Sequence, residues 1–145
     1  MKVRELMSNP VVRIHADEPI TVAARTLTRY NIGAMPVCGS DGRICGVITD
    51  RDIVTRCLAA QRPAEYTTVR EVMTGQVLAV SPDMPVEEAA ALMAKCQVRR
   101  LPVVNNGMLC GMITLGDLAA SKKESFSSKE LANVLQQITS NISMR

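Results

Sequence analysis

The chain has 145 residues, 47% of them hydrophobic and 21% charged, which suits one compact domain or two small, closely coupled halves. Seventeen basic against fourteen acidic side chains leave a formal charge of +3, too mild and too scattered to expect a nucleic-acid partner. No apolar run nears the roughly eighteen residues of a membrane span and no leader-like start is evident, so the expectation is a cytoplasmic protein without membrane contact.

Read in order, the chain repeats itself. Val3-Arg4-Glu5-Leu6-Met7 returns as Val69-Arg70-Glu71-Val72-Met73, and Gly46-Val47-Ile48-Thr49-Asp50-Arg51-Asp52 returns as Gly111-Met112-Ile113-Thr114-Leu115-Gly116-Asp117. Residues 10–14 and 76–80 are valine-rich candidates for a first strand. Asp17 and Asp83 are candidate helix caps, each followed by a proline in the opening turn. Ile20, Ala23, Ala24 and Leu27 then recur at helical spacing, as do Val86, Ala89, Ala90 and Met93. Residues 34–38 and 101–104 read as a second strand, with a proline in each that suits an edge or the start of a strand. Ser40-Asp41-Gly42 and Asn105-Asn106-Gly107 are turns into a third strand, residues 44–49 and 109–114. A last helix begins near the motif aspartate and runs to about residue 60 or 120.

Each copy is thus β-α-β-β-α, an α+β repeat too small to bury its own sheet, so the two are expected to pack through their sheets. The division that follows is 1–60 for the first repeat, 61–68 for a connector, 69–120 for the second repeat and 121–145 for a tail. In the tail, Phe126, Ser127, Glu130 and Leu131 fit a hydrophobic staple and capping box opening a helix. Leu131, Val134, Leu135, Ile138 and Ile142 line one face of it, which either packs on its own domain or meets a second molecule.

The doubled Gly-h-h-Thr-x-x-Asp carries the chemistry. Locally, Thr-x-x-Asp is close to a capping box, although that box prefers Glu or Gln at its last place. Functionally, a hydroxyl and helix amides at a strand-to-helix corner can hold a phosphate, and a carboxylate accepts from neighbouring sugar hydroxyls. Catalysis is not expected: there is no P-loop, no Gly-x-Ser-x-Gly, and the lone His15, read as a surface loop residue, has no nucleophile to serve. Five cysteines without a Cys-x-x-Cys suggest neither disulfides nor a metal site; Cys45 and Cys110 read as buried, reduced thiols. Tyr30, Tyr66 and Phe126 are the only aromatics, which leaves stacking of nucleobases on aromatic platforms almost unavailable.

This doubled order resembles the CBS domain pair, or Bateman module, over residues 1–120. The resemblance implies a regulatory module that senses adenosine-containing molecules such as AMP, ADP, ATP or S-adenosylmethionine, with no other cofactor. It implies two clefts between the repeats. One would combine Val77, Leu78, Val98, Arg99, Arg100, Leu101 and Pro102 with Thr49 and Asp52. The other would combine Val11, Val12, Ile32, Gly33, Ala34, Met35 and Pro36 with Thr114 and Asp117. The aspartates would hold ribose, the threonines phosphate, and the apolar strands would sandwich the base. Arg99, Arg100 and Arg51 make the first cleft the expected phosphate site, since arginine forks onto phosphate oxygens. A homodimer, and an unidentified protein partner as output, are also implied; the alternative is a ligand-free adaptor.

Overall fold

Aliphatic side chains are sorted into two separate cores, one in each of two compact units. The computed structural model describes residues 1–121 and 128–143, with side chains of the last helix described from 131 to 138. The amino-side unit comprises Val12–Val77 with Gly107–Leu109; the carboxy-side unit comprises Met1–Val11, Leu78–Asn106 and the chain from Cys110 onward.

In the amino-side unit, β1 (Ile14–His15) pairs parallel with β2 (Ala34–Cys38), which pairs antiparallel with β3 (Ile44–Thr49). Helix α1 (Ile20–Tyr30) lays Ile20, Ala23 and Leu27 into the core and stops at Asn31, a left-handed residue (φ 51°). That is a common helix terminator, since asparagine tolerates this conformation. Helix α2 (Asp50–Ile53) runs into a π-helical turn over Val54–Leu58, and α3 (Val69–Val72) closes the unit. Met35, Val37, Ile48, Cys57, Val69 and Val72 complete the core.

In the carboxy-side unit, α4 (Val86–Cys96) buries Val86, Ala89, Ala90 and Met93. The hairpin of β4 (Arg100–Asn105) and β5 (Met108–Thr114) turns through Asn106 (φ 53°) and Gly107 (φ 81°), the positive pair that a two-residue hairpin loop demands. Helix α5 (Leu115–Ala120) follows directly, and α6 (Ser128–Ser143) packs on α4 and α5. Val134 and Ile138 are buried in that core, Leu131 lies at its margin and Leu135 is 40% exposed. The tail helix therefore packs on its own domain. Phe126 and Ser127, and the side chains of Glu130 and Ile142, lie outside the described residues.

The repeats of the sequence and the units of the structure divide the chain differently. Each Val-Arg-Glu-h-Met segment lies in the unit formed by the other copy. Val3, which opens a single 3-10 turn (Val3–Glu5), is buried in the carboxy-side core, whereas Val69 and Val72 of α3 are buried in the amino-side core. The motif glycines explain the docking. A Cβ on Gly46 would lie 2.5 Å from Met73 Sδ and 2.8 Å from the Thr74 carbonyl oxygen; one on Gly111 would lie 2.6 Å from Met7 Sδ. Only a glycine lets each methionine sit down on β3 or β5.

Four sequence expectations need correction. Of the proposed first strands, only Ile14–His15 forms a ladder, and Val80 contributes one isolated parallel bridge to Val103. Valine content favours extension, but a strand also needs a neighbour with free backbone groups. The caps of α1 and α4 are Pro19 and Pro85, while Asp17 and Asp83 form ion pairs with Arg70 and Arg4. Cys45 and Cys110 are half-buried, their thiols donating to the carbonyls of Val37 and Val103. His15 belongs to β1, and its Nδ1 accepts from the Asp17 amide at 3.1 Å.

Candidate functional site

Both Thr-x-x-Asp corners are helix starts built alike. Thr49 and Thr114 are N-caps with the same backbone angles, φ −119° and ψ 160°. The Asp52 amide donates to Thr49 Oγ1 at 2.9 Å, and the Thr49 amide donates to Asp52 Oδ2 at 3.1 Å. The Asp117 amide donates to Thr114 Oγ1 at 3.1 Å, and the Thr114 amide donates to Asp117 Oδ2 at 2.8 Å. These are complete capping boxes, with the shorter aspartate standing where glutamate is usual. The local reading of the motif is therefore correct at both places. It uses one carboxylate oxygen of each aspartate and leaves Oδ1 over.

The neighbours of that second oxygen differ. Asp52 is buried at 9% exposure, and its Oδ1 stands 3.9 Å from Arg56 Nε, one helical turn on. Arg56 also donates to the carbonyls of Val72 and Met73, each at 3.2 Å, so one guanidinium joins the corner to the end of α3. The sequence reading missed Arg56, although the Asp52–Arg56 spacing on a helix was the signal. Asp117 is half-buried, and among the described residues its Oδ1 has no hydrogen-bond or ion-pair partner.

Of the residues picked out by sequence, Gly33 to Pro36 stand beside the Thr49 corner and Arg99 and Arg100 beside the Thr114 corner, each in its own unit. Ala34 pairs with Thr49, Met35 with Ile48 and Pro36 with Val47. The Gly33 carbonyl accepts from the Asp50 amide at 2.9 Å, and the Arg99 carbonyl accepts from the Leu115 amide at 2.8 Å. Met35 and Leu101 are core residues and Pro36 and Pro102 are buried, so these four offer a ligand backbone atoms rather than side chains. Val11, Val12, Ile32, Val77 and Val98 are half-buried, while Leu78, Gly33, Arg51, Arg99 and Arg100 are exposed.

In the carboxy-side unit, Arg99 and Arg100 border a cavity of about 400 Å³ with Thr114 and Gly116, and its far wall is Leu131 and Leu135 of α6. Among the described residues no three His, Cys, Asp or Glu side chains could together hold a metal ion. No described helix is long and apolar enough to cross a membrane.

Comparison with known proteins gives one consistent neighbourhood. The profile of the CBS domain matches residues 3–59 and 69–124. The CBS domain-containing protein YhcV of Bacillus subtilis (strain 168) is 37% identical over 136 residues, covering 93% of this chain and 96% of that protein. Hypoxic response protein 1 of Mycobacterium tuberculosis is 35% identical over 116 residues, covering 80% of this chain and 81% of that protein. The crystal structure of hypoxic response protein I, with two coordinated zinc ions, superposes with a TM-score of 0.77 at 33% identity, covering 85% of this chain and all (100%) of that one. The CBS domain pair of protein MJ0100, in complex with 5-methylthioadenosine and S-adenosyl-L-methionine, gives a TM-score of 0.70 at 30% identity, covering 82% and 93%.

Proposed function

The chain belongs to the CBS-domain family as a tandem pair, and from that premise we propose a regulatory, non-catalytic module that binds adenosine-containing molecules between its two repeats. The observation that carries this reading is the doubled corner. Each cap leaves one carboxylate oxygen beyond its own needs, and a carboxylate is an acceptor suited to paired ribose hydroxyls. The similarity to the MJ0100 pair, described with two adenosyl ligands, supports the ligand class. AMP, ADP, ATP and S-adenosylmethionine are the candidates.

In this proposal Asp52 and Asp117 hold ribose, Thr49 and Thr114 face phosphate, and the base is read by backbone atoms at the starts of β2 and β4. Arg51 next to the Thr49–Asp52 corner, and Arg99 and Arg100 next to the Thr114 corner, are the cations for a phosphorylated ligand. The signal is a shift of population toward the geometry that binds better, read out by a partner or by self-association as a homodimer in the cytoplasm. A thermal-shift screen against the four candidates tests it. A ligand present at about 100 times its dissociation constant should add roughly 2.7 kcal/mol of stability.

A second reading, a ligand-free dimerisation adaptor, draws on Val54 and Leu58, which are 53% and 63% exposed on the π-helical turn. Absence of a shift with all four compounds would favour the adaptor.

A further inference from the structure

Helix α6 lies beyond the residues matched by the CBS profile, which end at 124, yet it walls the cavity at the Thr114 corner. Its attachment and its cavity face use different residues. Val134 and Ile138 are buried in the carboxy-side core, where the helix packs on α4 and α5. Leu131 and Leu135 border the cavity instead, and Leu135 is left 40% exposed. Apolar surface of that kind gains from any molecule that takes it out of water.

We propose that α6 is the element through which occupancy of the Thr114 corner is read. A ligand held by Arg99, Arg100 and Thr114 covers Leu131 and Leu135, so that its binding and the docking of α6 strengthen each other. This role rests on the reading of the corner as an adenosyl site, and it adds an output carried by the chain itself. A molecule filling the cavity touches α6 only while the helix is docked. It therefore binds the docked state more tightly than any state in which the helix has come away. The linkage is reciprocal: the factor that docking adds to the affinity, binding adds to the docking equilibrium.

Calorimetric titration of the full chain with AMP, ADP, ATP and S-adenosylmethionine picks the tightest binder, and hydrogen exchange over residues 131–138 is then measured with and without that compound at saturation. Exchange in this stretch should slow by about fivefold or more. Leu135→Ala, which removes no core residue and introduces no charge, should weaken binding by about fivefold or more and abolish most of the slowing. Asn133→Ala, at an exposed position of the same helix that does not line the cavity, should keep the wild-type affinity; circular dichroism verifies that both variants fold. A bound compound that leaves exchange over 131–138 unchanged, or that binds Leu135→Ala as tightly as the wild type, would overturn the role of α6 and leave the nucleotide reading standing. Failure of all four compounds to bind at millimolar concentration would overturn both.

Discussion

The Asp52 corner and the Asp117 corner share one sequence pattern, one pair of backbone angles and one set of cap hydrogen bonds. Beyond the cap they part. Asp52 is buried with Arg56 beside it, whereas the position matching Arg56 after Asp117 is Ser121 and Asp117 is half open to water. The second corner has instead the Arg99–Arg100 pair and a tail helix across a cavity. Duplication has preserved the part of the motif that folds the helix and let its electrical surroundings diverge. A cap needs only local geometry, while the charge around a spare carboxylate oxygen depends on residues a turn or a strand away.

The largest test of that comparison concerns the glycines. Gly46→Ala would drive a Cβ against Met73 and the fixed Thr74 carbonyl, and Gly111→Ala against Met7 with the Ser8 carbonyl at 3.1 Å. Overpacking of this kind costs about 1–3 kcal/mol, and urea denaturation should place Gly46→Ala at the upper end and Gly111→Ala below it. Equal, negligible losses would mean that the methionines do not dock on these strands.

Next come the caps. Thr49→Ala and Thr114→Ala should each cost about 1 kcal/mol, the same within error because the two boxes are alike. Arg56→Ala then separates the corners. It leaves the Val72 and Met73 carbonyls without that donor and Asp52 without its cation, at a cost of about 1 kcal/mol, while Ser121→Ala should not reproduce that loss. A cost for Arg56→Ala indistinguishable from zero would reduce the asymmetry to a surface detail.

The smallest effect is in acid. The Arg4 side chain holds Asp83 below the ordinary carboxylate range, and hydrogen bonds from Thr68 hold Glu71 below it. A carboxylate whose folded value is depressed contributes fully above its unfolded value, and that contribution is lost as pH falls through the folded one. Both contributions are therefore present at neutral pH and disappear below about pH 4. Asp83→Asn and Glu71→Gln should each flatten the acid limb of a stability–pH curve slightly. Added salt should weaken the Asp83 contribution more than that of Glu71, which is held first by the Thr68 cap hydrogen bonds and only second by its ion pair with Arg62, because ion pairs are screened more than cap hydrogen bonds.

Much of the architecture was legible because it rests on short-range signals. The strand at residues 34–38, the strand at 44–49 and the buried faces of α1 and α4 follow from alternation, turn residues and helical spacing. The Thr-x-x-Asp caps were legible for the same reason. What depends on distant partners was not. Asp17 looks like a cap until Arg70 is placed beside it. Val77 looks like a strand until it finds no ladder. Val-Arg-Glu-h-Met reads as a repeat marker, and only its docking on Gly46 or Gly111 gives it a purpose. Leu135 reads as one more apolar position of a tail helix, although it faces a cavity rather than the core.

The most direct measurement is a calorimetric titration of whichever of AMP, ADP, ATP or S-adenosylmethionine stabilises the protein most, into the wild type and into Asp52→Asn. Asparagine can still accept from the Thr49 amide, so the cap is kept while the carboxylate is lost. Loss of a hydrogen bond to a charged group costs roughly 1.5–3 kcal/mol, on the order of 10- to 100-fold in affinity, and Asp117→Asn should lose less. Unchanged affinity in Asp52→Asn, with Asp117→Asn the sensitive variant or with neither sensitive, would contradict the assignment of the spare carboxylate oxygen to a ligand.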